Sequence, residues 1–341
     1  MARLKEDGKT KEKKEGSSVM RVLVTGGAGF IGSTLVQELL QNPVVELVRV
    51  LDNFATGALR NIEDLTGNAK FELVEGDIRD YSNCVEACMG IDLVSHQAAL
   101  GSVPRSINDP VTTNEVNITG TLNVFTAAKE QRIRRVVYAA SSSTYGDHPG
   151  LPKREDDIGK PLSPYAVTKY VNELYADVYA RTYNMELVGL RYFNVFGPRQ
   201  NPAGPYAAVI PIFIKAVLDN VPPVINGDGT HSRDFTFIDN VVQANVCALF
   251  NDVPAAVNQV YNIAYGQQTS LIDLFQMIKE IAGSDLVPVF GPERQGDVKN
   301  SLADISKAKN LLGYSPAVSI RDGLKATFEW YRKQHHFSYS T

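Results

Sequence analysis

The stretch Val19–Gly32, VMRVLVTGGAGFIG, constrains the fold more than any other part of the chain. A short β-branched run that breaks off in glycines reads as a strand buried on both faces of a parallel sheet. Gly26, Gly29 and Gly32 permit a tight turn, close approach of backbone to a pyrophosphate and close helix-on-strand packing, and the helix that follows offers free N–H groups at its positive end. That helix is expected from about Phe30 to Leu40, with Ile31, Leu35, Leu39 and Leu40 on one face. A second strand, Leu47–Leu51, closes a βαβ unit at Asp52. Asp52 stands where a carboxylate accepts hydrogen bonds from a ribose 2′- and 3′-hydroxyl and repels a 2′-phosphate, so NAD is expected over NADP. Capping of the strand end is the plainer alternative for this residue.

Strands are further expected at Phe71–Val74, Asp92–Ser95, Val136–Ala140 and Leu187–Arg191, with helices between them around Val85, Leu122 and Val171. The alternation predicts an α/β fold, a doubly wound parallel sheet of Rossmann type. Beyond Arg191, punctuation such as Gly197-Pro198, Gly204-Pro205 and Gly227-Asp228-Gly229 predicts a smaller irregular lobe, closed by helices Leu271–Ala282 and Ile320–His335. The expected division is a disordered tail over residues 1–18, an NAD-binding domain over 19–191 with returning segments near 235–265, and a substrate lobe over the rest of 192–341. The tail holds six Lys/Arg against four Asp/Glu and almost nothing apolar.

Net charge is −4 over 341 residues, unlike the basic balance of a nucleic-acid binder. Three cysteines without paired spacing and five scattered histidines argue against a disulfide framework and a metal site, and fit a reducing cytoplasm. Neither a membrane span nor a signal peptide is expected.

Tyr165-Ala166-Val167-Thr168-Lys169 places a phenol and an ammonium one helical turn apart. A neighbouring Lys⁺ and an oxidised nicotinamide both favour phenolate, which turns a poor base into a usable one. Ser141-Ser142-Ser143 follows a strand and supplies hydroxyls at the sheet's C-terminal edge. Asp77 and Ile78, after the third strand, could frame an adenine. Gln97-Ala98-Ala99, after the fourth, would let a cofactor cross the sheet edge, and His96 reads as a structural hydrogen bonder.

Together these residues resemble the extended short-chain dehydrogenase/reductase family, from about Val19 to the C-terminus. Finer motifs, Gln97–Ser106, Ser141–Pro149, Arg191–Gly197 and Ser232-Arg233-Asp234-Phe235, resemble its UDP-N-acetylhexosamine 4-epimerases of the O-antigen type. The resemblance implies that Tyr165 takes the proton of the sugar 4-hydroxyl as C4 gives a hydride to NAD⁺. Lys169 and Ser141 assist, with Ser142 and Ser143 beside them, and a 4-keto sugar rotates and recovers the hydride on its other face. The NAD is expected to stay tightly bound through many turnovers. To the cofactor the resemblance assigns also Phe30, Ile31, Asn53, Thr56, Gly57, Asn117 and Tyr192. To the UDP-sugar it assigns Gly101, Ser102, Val103, Asn194, Gln200, Ala208, Val209, Asn226, Arg233, Arg294, Asp297 and Ser301. Ser301 stands where epimerases that reject acetylated sugars carry a tyrosine, so UDP-GlcNAc and UDP-GalNAc are the expected substrates, with slower action on UDP-Glc and UDP-Gal left open. A departure from the family pattern is Lys299-Asn300, where relatives tend to have Arg-His. A homodimer through helices near Leu122 and Val171 is also implied.

Two alternatives of the same family stay open, a UDP-glucuronate decarboxylase and an NDP-sugar 4,6-dehydratase. The latter lacks its acidic pair, since Ser142 and Ser143 occupy those places. A cofactor-sensing binding protein is the non-enzyme alternative, set against by the presence of both Tyr165 and Lys169.

Overall fold

A computed structural model describes residues 19–202, 207–293 and 299–338. The expected tail over 1–18 lies outside them. The first half of the chain alternates strand and helix: β1 (Met20–Thr25), α1 (Phe30–Gln41), β2 (Val45–Asp52), β3 (Phe71–Glu75), α2 (Tyr81–Cys88) and β4 (Leu93–His96). Helices α3 (Val103–Asn108) and α4 (Pro110–Asn114) run through a π-helical turn, Glu115–Gly120, into α5 (Thr121–Glu130). Then come β5 (Arg135–Ser141), α6 (Pro164–Tyr183) and β6 (Glu186–Tyr192). The remainder is β7 (Val195–Phe196), α7 (Val209–Leu218), β8 (Val224–Asn226), β9 (Ser232–Arg233), β10 (Thr236–Phe237), α8 (Ile238–Phe250), β11 (Gln259–Ile263), β12 (Thr269–Ser270), α9 (Leu271–Ala282), β13 (Val289–Gly291), α10 (Ser306–Leu312) and α11 (Ile320–Ser338).

Seven strands form one parallel sheet in the order β3-β2-β1-β4-β5-β6-β11. Side chains alternate between its faces. Val22, Val24, Val48, Val50 and Val137 join the core under α1 and α8, while Leu23, Leu51, Val94 and Val136 join the one under α2, α5 and α6. Burial on both faces is why these strands read as unbroken apolar runs. Strand order reverses between β1 and β4, and the crevice above their C-terminal ends is where such sheets bind ligands.

The expected strands and helices are present within one or two residues at most ends. The near-continuous helix over residues 103–120 was not foreseen. Within the 235–265 stretch expected to return, α8 leads to β11, a seventh strand beside β6 that no strand expectation named. Outside the main sheet, β7 pairs with β10, β9 with β12 and β8 with β13, and α9 packs against α7 and α11.

Candidate active site

The glycine turn after β1, Asp52 at the end of β2, Gln97 after β4 and Ser141 at the end of β5 all lie at the C-terminal edge of the sheet, where that crevice opens. Gly26 turns at φ +69, and a Cβ there would lie 2.7 Å from the Ala98 nitrogen. A Cβ on Gly32 would lie 2.1 Å from the Gly26 carbonyl oxygen. Both glycines are therefore demanded by close backbone approach. Gly29 caps α1 with no side-chain hydrogen bond, and no acid sits in the first turn, so the N–H groups around Phe30 and Ile31 keep their positive end for an anion. Gly57 closes the loop, with Ala58 N–H and the Asn61 amide both donating to the Ala28 carbonyl, and Thr56 is exposed.

Asp52 performs the capping role as well as lining the crevice. Its Oδ2 accepts Ala28 N–H at 2.9 Å and its Oδ1 accepts Phe54 N–H at 2.8 Å. Each oxygen retains a lone pair for a ribose hydroxyl. Burial raises its pKa against the pull of those N–H groups. Asn53 donates to Asp77 at 2.8 Å, and the Arg79 guanidinium holds the Asp77 carboxyl down to about 2. Ile78 is buried beside Gly120. The glycine cradle, the uncapped helix end and a carboxylate at the end of β2 fit a dinucleotide.

His96 lies between the hydroxyls of Thr25 and Thr121 at 2.7 and 2.9 Å, and burial pushes its pKa down to about 3, so it is a neutral brace. Three expected cofactor contacts turn out to spend polar atoms on the chain itself. Asn117 ties the Leu100 backbone to Thr168, accepting at 2.8 Å and donating at 3.2 and 3.1 Å. The Tyr192 hydroxyl donates to Gln97 Oε1 at 3.0 Å and meets the Asn245 amide. Gln97 in turn donates to Ser95 and Asn245. Asn245, on α8, was not singled out in the sequence. Ala98 and Ala99 continue the crevice wall, with Ala98 N–H on the Thr25 hydroxyl.

Ser163 caps α6 by accepting Ala166 N–H at 3.2 Å, and Pro164 occupies the first turn. That start fixes Tyr165 and Lys169 one turn apart at the end of β5. Ser141 Oγ accepts the N–H and hydroxyl of Ser143 at 3.1 and 2.9 Å, and Ser141 acts to lower the pKa of the Tyr165 phenol. Ser142 is half-buried beside them. Burial nonetheless raises the phenol's pKa, contrary to the expectation that Lys169 lowers it. The ammonium lies 6.0 Å from the Tyr165 ring centre and donates to the Ala139 carbonyl at 2.9 Å, and burial pushes its own pKa down to about 8 while Glu173 supports it.

On the sugar side, a Cβ on Gly101 would meet nothing within 4 Å. Ser102 caps α3 by accepting Arg105 N–H at 3.3 Å, and Val103 is exposed. Asn194 donates to the Asp234 carbonyl at 3.2 Å and Gln200 to the Val195 carbonyl at 3.1 Å. The Gln200 Oε1 is buried with no partner, an acceptor left over. Ala208 and Val209 open α7, again without a side-chain cap, and Asn226 ends β8. Arg233 donates to the carbonyls of Ser232 and Lys299 at 2.9 and 3.2 Å. Ser301 N–H bonds the Ser232 carbonyl at 3.1 Å. Lys299 serves this arrangement through its backbone and its side chain is exposed, so the departure from arginine leaves the geometry intact. Asp234, part of a motif noted in the sequence but given no role there, accepts N–H groups from Tyr265, Gly266 and Ala303 and holds this segment to β9. Arg294 and Asp297 lie outside the described residues. Among the described residues no cluster could hold a metal, and no helix is long and apolar enough to cross a membrane.

On this doubly wound sheet the glycine turn, Asp52 and the Ser141, Tyr165 and Lys169 side chains are arranged as a nicotinamide-dinucleotide enzyme would need them. Residues 22–264 match the NAD dependent epimerase/dehydratase family, and the chain belongs to it. A putative UDP-glucose 4-epimerase of Methanocaldococcus jannaschii is 38% identical over 92% of this chain and 99% of its own length. The structure of a UDP-N-acetylglucosamine 4-epimerase from Methanobrevibacter ruminantium, in complex with UDP-N-acetylmuramic acid, matches with a TM-score of 0.88 at 37% identity, covering 93% of this chain and 99% of that one. A Thermus thermophilus UDP-glucose 4-epimerase in complex with NAD matches at 0.82 and 35%, covering 92% and 99%. The chain is an NAD-dependent enzyme of the UDP-sugar 4-epimerase kind.

Proposed function

We propose that the enzyme interconverts UDP-GlcNAc and UDP-GalNAc, with UDP-Glc and UDP-Gal as slower substrates. What supports this reading is small residues at the positions the resemblance assigns to the sugar: a Cβ on Gly101 would meet open space, and positions 143 and 301 are serines, the latter where epimerases that reject acetylated sugars carry a tyrosine. The relative of known structure that acts on UDP-N-acetylglucosamine supports it.

Tyr165 receives the proton of the 4-hydroxyl, and Ser141, at the C-terminal end of β5, shares the reacting oxygen. Lys169 holds positive charge behind the phenolate from its seat on the Ala139 carbonyl. NAD supplies hydride acceptance and return at C4. The buried, hydrogen-bonded Ser141–Ser143 pair keeps the oxygen's partners fixed while the ketone turns about its bond to the β-phosphate. Gly26, Gly29, Gly32 and Asp52 hold the dinucleotide, and Asn194, Gln200, Ala208, Val209, Asn226 and Arg233, with Arg294 and Asp297, hold the UDP. A homodimer also belongs to this reading. Val167, Leu174 and Val178 form an exposed apolar stripe on α6, continued by Ile107 and Val111 on α3 and α4. We place the enzyme in the cytoplasm, consistent with three free cysteines.

Purified protein is incubated with UDP-GlcNAc, UDP-Glc and UDP-glucuronate in parallel, without added cofactor, and 4-epimers are followed by NMR. Preferential conversion of the acetylated sugar supports the reading. Conversion of UDP-Glc alone, or decarboxylation of UDP-glucuronate, replaces it.

A further inference from the structure

Behind the sugar wall runs a chain of buried polar groups that the chemistry above does not use. Glu173, one turn beyond Lys169, is gripped by the Arg191 fork at 2.9 and 2.7 Å. Arg191 also donates to the Glu155 carbonyl at 2.8 Å, and its guanidinium carbon lies 4.8 Å from the Tyr145 ring centre. Tyr145 ends the Ser142–Tyr145 turn and donates its hydroxyl to Asn262 Oδ1 at 2.6 Å. Asn262, on β11 and 0% exposed, donates from Nδ2 to the carbonyls of Lys153 at 2.9 Å and Asp304 at 3.0 Å. Its own N–H bonds Glu155 at 2.9 Å. Lys153 in turn pairs with the 302–304 segment: its N–H bonds the Leu302 carbonyl at 2.7 Å and its carbonyl accepts Asp304 N–H at 2.9 Å.

One carboxamide therefore joins three pieces of chain: the turn that bears Ser143, the segment at Lys153, and the segment that follows Ser301. The site asks for an acceptor toward Tyr145 and two donors toward carbonyls, at the reach of a two-carbon side chain. Asparagine alone meets that pattern; aspartate would set an acceptor against two carbonyls, and leucine would leave all three partners bare. A buried polar hub with every atom satisfied holds its neighbours in one arrangement.

We propose that Asn262 is a positioning residue that sets the width of the sugar pocket, holding the Ser143 turn and the Ser301 segment at the separation an acetamido group on C2 requires. The inference rests on the UDP-GlcNAc reading above and names what maintains the room on which that reading depends.

The test compares the Asn262→Asp and Tyr145→Phe variants with wild type, measuring kcat/KM for UDP-GlcNAc and UDP-Glc separately, with bound NAD and UDP affinity as controls. At pH 8, Asn262→Asp is expected to lower the UDP-GlcNAc to UDP-Glc preference about tenfold, with NAD content and UDP affinity unchanged. At pH 5.5 the introduced carboxyl takes up a proton, regains a donor, and returns the preference toward wild type. Tyr145→Phe removes one hydroxyl and shifts the preference in the same direction by roughly threefold; it decides the matter if the aspartate variant does not fold. Equal losses on both sugars, or an unmoved preference in Tyr145→Phe, overturn the positioning role. A wild-type enzyme that ignores UDP-GlcNAc overturns the substrate reading itself, a different and recognisable result.

Discussion

Glu173→Gln removes a buried charge while keeping the side chain's size. The carboxylate and its Arg191 partner are 6% and 2% exposed, with two nitrogen–oxygen contacts at 2.7 and 2.9 Å. Losing one member of such a pair leaves the other desolvated and uncompensated, at a cost of about 3–5 kcal/mol. The amide oxygen of glutamine still accepts one guanidinium N–H, which puts the expected loss near ~3 kcal/mol. A second consequence reaches the catalytic group. Burial depresses Lys169 to about 8, and Glu173 is the group that opposes the depression. A lysine depressed on folding from its free value of about 10.4 contributes stability above that value and loses it as pH falls through 8, roughly 3 kcal/mol in all. Without Glu173 the folded value drops further, so the window extends below pH 8 and the ammonium is lost at a lower pH. Urea unfolding at pH 7 should therefore show the full loss, and the alkaline limb of the epimerisation profile should move to lower pH. A stability change under ~1 kcal/mol, or an alkaline limb that stays in place, would refute the reasoning.

Three further outcomes follow from the geometry. Tyr165→Phe should lower turnover about 10³-fold with NAD still bound, because only the proton acceptor is lost; epimerisation within tenfold of wild type by NMR would remove Tyr165 from its role. Gly32→Ala should purify with little or no NAD, read from the nucleotide released on denaturation, because its Cβ would stand 2.1 Å from the Gly26 oxygen. Ser301→Tyr should cut kcat/KM for UDP-GlcNAc by at least ~50-fold while sparing UDP-Glc, and equal effects on both sugars would count against the wall.

Much of this site was legible in the chain because its signals are local. Gly26, Gly29 and Gly32 sit within seven residues and Gly32 is held to Gly26 itself, while Tyr165 and Lys169 are related by one helical turn. Where the reading went astray, a local signal was outweighed by surroundings. The lysine was expected to lower the phenol's pKa, yet the ammonium is anchored on Ala139 and burial dominates both groups. Asn117 and Tyr192, assigned to the cofactor, also hydrogen-bond the chain's own segments, a role no local signal announced. Asp52 takes the capping role that had been set against ribose binding, and its oxygens keep lone pairs to spare.

What the sequence alone determined is the periodic and the contiguous: buried parallel strands, the helices between them, the glycine turn and the spacing of the catalytic pair. Each depends on residues near one another in the chain, so its physics is written in a short window. The tertiary structure alone decided that the returning segment pairs as β11 beside β6. It also decided that Asn245, Asp234 and Asn262 become hubs, and that Glu173 meets Arg191. Those partners lie between 18 and 150 residues apart. Hydrogen bonds and ion pairs of that kind act over about 3 Å, so nothing along the chain announces them until folding has brought the segments together.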